Sequence, residues 1–258
     1  MSLVRSSTGR GVATLTLDSP PNRNALSTGL IEELLAALAA AEADDAVRVV
    51  VLTHTGPVFS SGADLKETAA AIGTGKPPIS RLGEVLAAIW EGSKPVVARV
   101  AGPARAGGLG LIAAADIAVC STDATFAFTE VRIGVVPAVI SATVLARLSP
   151  RDASELYLTG ATFDGARAQR VGLVNAAVPA EELDATVAGY VAALVRGAPE
   201  ALAGTKDLLR QPRTDSFRHQ IRALTELSVS YFGSAEGREG MLAFREKRNP
   251  NWVPDGAA

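Results

Sequence analysis

The sequence predicts an α/β chain built on a mainly parallel sheet, followed by a helical C-terminal region. Two observations carry this. Short runs rich in β-branched residues alternate with segments whose apolar residues recur at helical spacing, the alternation that parallel strands joined by right-handed crossovers require. Beyond Ser141 the pattern turns mostly helical, with a break at Gly172 to Val178 that leaves room for one more strand.

The first strand is read over Gly11 to Leu17 (GVATLTL), stopped by Pro20 and Pro21. Ser27 can cap the helix that follows, in which Leu30, Leu34, Leu38 and Ala41 share one face. Val47 to Thr53 is nearly all β-branched, as a buried parallel strand should be. Asp64 can cap a further helix, Ser80 to Glu91 is helical, and Lys94-Pro95 leads into a strand at Val96 to Val100. A Gly-rich turn, an Ala-rich helix, a strand from Ile117 and a short strand at Thr125 to Phe128 come next. From about Glu181 the chain reads as a helical appendage.

Composition narrows the function. The chain has 258 residues, 48% hydrophobic and 20% charged, with net charge −2, which suits a globular enzyme. Lys and Arg are dispersed, so no basic stripe marks a nucleic-acid partner. Cys120 is the only cysteine, which excludes an internal disulfide and a cysteine zinc cluster and favours a reducing compartment. No apolar run reaches the length of a membrane span and no secretory leader is evident, so the cytoplasm is expected.

Two segments place a Gly at a strand-to-helix turn: PVFSSGADLKE (Pro57 to Glu67) and AGPARAGGLGLIAAAD (Ala101 to Asp116). Such a turn leaves backbone N–H groups unpaired at the positive end of a helix. Two of them converging on one oxygen would stabilise an enolate or tetrahedral oxyanion. The GTGK of the Gly73 to Pro78 stretch lacks the Walker spacing and reads as a surface loop.

These segments resemble signatures of the crotonase (enoyl-CoA hydratase/isomerase) family. FSSGADLKE is similar to FxAGADxKE, and the Ala101 segment to NGxAxGGGxxLxxxCDxxxA. NRNAL (Asn22 to Leu26), FAFTEVRIGVVPAVIS, TGATFDGARAQRVGLVNAAVP and FREKRNPNW resemble further family motifs in the expected order, over nearly the whole chain. The resemblance implies a ClpP-like spiral of ββα units. Residues 1–195 would form the core, and 196–258 a helical lid and trimerisation region. It also implies an acyl-CoA substrate, with coenzyme A part of that substrate and no separate cofactor or metal, and homotrimers that pair into hexamers.

Carried over by position, the oxyanion-hole amides fall on Ala63 and Gly107. Backbone around Ser61, Ala63 and Leu65 would hold the adenine end of CoA, with Ala25 and Asp64 in the same binding stretch. Arg23 would meet the phosphates, joined by Lys247 from a neighbouring subunit. Ala106 stands where the family has the first Gly of a triplet, and Asp116 matches a structural position.

The carboxylates depart from the pattern. Family hydratases use two glutamates. The first position here is Gly110 and the second is Glu130, the expected general acid/base. The Asp of dienoyl isomerases is replaced by Ala138. His54, His219 and Cys120 lack partners at catalytic spacing, and Ser60 and Ser61 suit a tight turn by size. The leading expectation is hydration of a 2,3-enoyl-CoA, with features of the 3-methylglutaconyl-CoA hydratase-like branch. The alternatives are isomerisation of a 3-enoyl-CoA by the single Glu130 and a non-catalytic acyl-CoA-binding homologue.

Overall fold

The computed structural model describes residues 2–71, 79–210 and 234–254. The Gly73 to Pro78 loop, His219 and the apolar stretch Leu224 to Phe232 lie outside these. A two-residue turn opens the fold. Arg10 and Gly11 both take positive φ, 51° and 79°, the backbone twist that a tight hairpin demands. It folds β1 (Val4–Gly9) antiparallel onto β2 (Val12–Leu17), with Gly9 opposite Val12.

Every later junction of this sheet is parallel. β2 pairs with β3 (Val49–His54), then β4 (Val96–Val100), β6 (Ile117–Ser121) and β9 (Ala176–Val178), giving the order β1-β2-β3-β4-β6-β9. The β-branched runs are explained by burial on both faces. Val50, Leu52, Val96 and Ala98 join the larger core with Leu30, Ile31, Leu34 and Leu38 of helix α1 (Thr28–Ala43). Val49, Val51, Val97 and Val119 face the other way, into a smaller core with Leu183, Val187 and Val195. The expected cap is present: Leu30 N–H donates to Ser27 Oγ at 3.3 Å.

Helix α2 (Leu65–Ala70) and helix α3 (Ile79–Glu91) lie between β3 and β4. A second, smaller sheet positions the chemistry. β5 (Ala104–Arg105) runs parallel to β7 (Thr125–Ala127), which pairs antiparallel with β8 (Phe163–Asp164). Because Arg105 stands opposite Ala127, the segments leading to Gly107 and Glu130 leave neighbouring strands in the same direction.

Helix α4 (Gly107–Ala114) is buried along its whole length. Its carbonyl end is capped by Arg147, whose Nε and Nη2 donate to Ala113 O and Ala115 O at 3.0 and 2.9 Å. Asp116 follows and is structural, as its position implied. Its Oδ2 accepts from Val96 N at 2.8 Å and meets Lys206 Nζ at 2.7 Å. Lys206 comes from α9 (Pro199–Arg210), is 5% exposed, and also donates to Ile89 O and Lys94 O. A buried ammonium needs this full set of acceptors to offset its lost hydration. Helix α5 (Ala138–Val144), helix α6 (Pro150–Thr159), helix α7 (Gly165–Arg170), helix α8 (Leu183–Val195) and the helix Ala235–Glu246 complete the described chain. Among the described residues no helix is long and apolar enough to cross a membrane.

Candidate active site

The first strand-to-helix turn, Ser60 to Asp64, is aimed by the chain segment before α1. Leu26 forms a parallel bridge with Ala63: its N–H donates to Gly62 O at 2.8 Å, and its carbonyl faces Asp64 N at 3.5 Å. A parallel bridge uses the groups flanking the central residue, so the Ala63 N–H points away from Leu26. Ser61 N donates to Arg23 O, and Gly62 N to Ser60 Oγ. The Ala63 amide has no acceptor among the described residues.

The second turn lies against the first. Ser60 bridges Ala104, and Arg105 N donates to Ser60 O at 3.0 Å. Ala106 adopts φ 46° and ψ −116° immediately before α4, a conformation that is strained for a residue with a Cβ. The missing family Gly therefore has a visible cost, while the backbone path is kept. Gly107 N likewise has no acceptor among the described residues. The two amides are close. A Cβ built on Gly107 would lie 3.9 Å from Ala63 N, and one on Gly62 would lie 3.4 Å from Gly107 N.

Both turns border one cavity of about 330 Å³. Ser61, Ala63, Leu65, Thr68, Ala106 and Gly107 line one part. Thr129, Glu130, Ile133 and the Val135 to Ile140 stretch line the rest. Glu130 is the only ionisable residue among them. It begins a 3₁₀ turn, Glu130–Ile133, is 8% exposed, and its Oε2 has no hydrogen-bond partner among the described residues. Burial raises its pKa above the ordinary carboxyl value. A carboxyl oxygen left without a partner in an apolar cavity costs stability, and such a cost is usual where a group handles protons.

Gly110 does not leave a hole for a second carboxylate. A Cβ there would come within 2.5 Å of Ile140 Cγ2, and Thr143 of the same α5 turn donates to Gly110 O at 3.2 Å. Ile140 is buried and lines the cavity, so hydrocarbon fills this part of the wall.

The remaining expected ligand residues are placed as follows. Arg23 is exposed, with positive φ, and makes no ion pair among the described residues. Ala25 is buried in the same turn. Leu65, 58% exposed, opens α2 at the cavity rim. Asp64 is committed to capping: Oδ1 accepts from Lys66 N and Glu67 N, and Oδ2 from Asn22 Nδ2 at 2.7 Å. The Asn22 hydrogen bond is the largest cause of its lowered pKa. Lys247 is exposed just past the last helix, outside the cavity lining.

His54 accepts from Ala101 N through Nε2 and packs edge-on against Phe59, away from the cavity lining. Cys120 is buried with its thiol pushed up to about 12, so it packs and does not react. No group of three or more His, Cys, Asp or Glu side chains able to hold a metal occurs among the described residues. Sequence reasoning missed Asn22, Asn24 and Ile140. The NRNAL motif pointed at the two asparagines, but no sequence signal places Ile140 over Gly110.

The family model described as Enoyl-CoA hydratase/isomerase matches residues 7–254. The chain belongs to the enoyl-CoA hydratase/isomerase family. A relative from Thermus thermophilus, provisionally named an enoyl-CoA hydratase, is 36% identical over 249 residues, covering 93% of this chain and 97% of its own. An enoyl-CoA hydratase structure from Mycobacterium avium is 45% identical with a TM-score of 0.75, covering 98% of this chain and 99% of its own. A Legionella pneumophila structure, provisionally named an enoyl-CoA hydratase/isomerase (crotonase), is 34% identical with a TM-score of 0.90, covering 98% and 99%. The crotonase fold is thereby established for this chain, and with it an enzyme of the acyl-CoA hydratase/isomerase class.

Proposed function

We propose that this crotonase-family enzyme moves the double bond of a 3-enoyl-CoA thioester to the 2,3 position, with Glu130 carrying one proton between two carbons. The Glu130 carboxylate removes a proton from C2, and the electron pair delocalises onto the thioester oxygen. The Ala63 and Gly107 N–H groups hold that oxyanion, and the Glu130 carboxylic acid returns the proton to C4. No atom is gained or lost. The observation that carries this reading is Ile140 in contact with Gly110, which leaves Glu130 as the one carboxyl among the described residues lining the cavity. Isomerisation needs one proton carrier, whereas hydration must also hold and activate a water. That requirement reverses the order of the two readings made from sequence.

Hydration of a 2,3-enoyl-CoA by Glu130 alone is the second reading, favoured by the hydratase names of the relatives. Contacts of Arg23 and Lys247 with CoA phosphates, and assembly into trimers or hexamers, belong to the same proposal. Light scattering tests the assembly.

Incubation with 3-hexenoyl-CoA and with crotonyl-CoA separates the readings by mass. A product of unchanged mass with a conjugated double bond supports isomerisation, and a product heavier by one water supports hydration. Neither product would reduce the protein to an acyl-CoA binder. Glu130→Gln keeps the shape and removes the proton carrier. Turnover should fall by at least the ~10²–10⁴-fold of one general catalyst, while affinity for a saturated acyl-CoA changes little. Undiminished turnover would remove Glu130 from the mechanism. Because Glu130 acts first as a base and its pKa is raised, wild-type turnover should decline as pH falls through that raised value.

A further inference from the structure

We infer that Asn24 is the positioning residue of the oxyanion hole; this rests on the reading that the Ala63 and Gly107 amides hold the thioester oxygen. Asn24 is fully buried, at 0% exposure, and adopts φ 51°. Its side chain satisfies three backbone groups. Nδ2 donates to Thr55 O at 3.0 Å and Val58 O at 2.8 Å, and Oδ1 accepts from Ser19 N at 2.7 Å. Its carbonyl accepts from Ser60 Oγ at 2.9 Å, and the same Ser60 Oγ accepts from Gly62 N. One residue thus ties down the approach to the first turn, at Thr55 and Val58, and the turn itself, through Ser60, whose Oγ holds the N–H of Gly62 next to Ala63.

The chemistry explains the residue type. Two carbonyls facing inward need a double donor, Ser19 N needs an acceptor, and a carboxamide supplies both from one planar group. Asn also tolerates positive φ better than most residues with a Cβ. Aspartate would turn the donor into an acceptor and set it against two carbonyls. Asn24 is absent from the cavity lining, so it acts only through the turn.

Raman difference spectroscopy of bound butyryl-CoA reads the hole directly, without turnover. In the wild type the thioester carbonyl stretch should shift below its value in free butyryl-CoA. Asn24→Gly, which keeps the backbone freedom, and Asn24→Asp, which keeps the shape, should both move it back toward the free value. Their kcat should fall about 10²-fold, the scale of a ~1 Å misplacement, with Kd for butyryl-CoA little changed. A folded Asn24 variant that retains the full shift overturns the inference. If neither variant folds, Ser60→Ala decides. It cuts the Asn24 carbonyl link and should lower kcat about 10-fold, the size of one hydrogen bond, with a partial loss of the shift. An unchanged shift in Ser60→Ala overturns the inference equally. A wild type with no shift shows instead that the oxyanion-hole reading itself is wrong, and is seen before any variant is made.

Discussion

The two turns that present the oxyanion amides do the same job by different means. The Ser60 to Asp64 turn is braced by polar groups: Asn22 on Asp64, Asn24 on Thr55 and Val58, and Leu26 N on Gly62 O. The Ala104 to Gly108 turn keeps the backbone hydrogen bonds of Arg105 N and Ala106 N, and its glycines are braced by contact. A Cβ on Gly107 would meet Leu26 Cδ1 at 2.8 Å and Leu82 Cδ2 at 3.1 Å, and one on Gly108 would meet Ser60 Cβ at 2.9 Å. A hydrogen-bonded brace fails when a donor is lost, while a packed brace fails when an atom is added. The two turns should therefore have opposite mutational sensitivities.

Within the packed brace the largest effect is expected at Gly108. Gly108→Ala pushes a methyl into Ser60 and so displaces the first turn from the second. Steady-state kinetics should show kcat lowered about 10²-fold in a protein that still folds. A variant with wild-type kcat would mean that the packed brace has slack. Gly110→Glu comes next. With Ile140 Cγ2 at 2.5 Å from the new Cβ, it should cost about 1–3 kcal/mol in denaturant unfolding. It should bring no gain in crotonyl-CoA hydration.

Ala106→Gly tests the strain in the second turn. Relieving a positive φ on a residue with a Cβ should stabilise the fold by about 1 kcal/mol, measured as a raised unfolding midpoint. Glu130→Gln should also stabilise. A carboxyl with a raised folded pKa contributes stability at low pH that is lost as pH rises through that value. The Gln variant should therefore melt above the wild type in neutral buffer, with the gap closing in acid. The smallest effect is expected from salt. Exposed Arg23 is screened at high ionic strength, so affinity for CoA should weaken modestly as salt rises.

Much of this arrangement was legible in the sequence, for physical reasons. The parallel strands declared themselves through β-branched runs, α1 through its Ser27 cap and apolar stripe, and the two turns through glycines at strand ends. The hairpin strand β1 was missed because only Val4 of its six residues is buried, which leaves no apolar alternation to read. Its Arg10-Gly11 turn was the available signal. β5 is two residues long, too short for any pattern. The single carboxylate was legible at Gly110 and Glu130. What stands against Gly110 was not, because Ile140 lies 30 positions away and only tertiary packing brings it there. Asn24 stood inside the NRNAL motif, but its role was not legible, since burial cannot be read from a turn sequence.

Lys206 has a consequence for how the chain is made. Its ammonium completes a pocket whose walls, Asp116 and the carbonyls of Ile89 and Lys94, are synthesised long before it. A nascent chain halted ahead of residue 206 carries this carboxylate and the two carbonyl oxygens without their lysine. Translation must therefore enter the last quarter of the message before that lysine is in place.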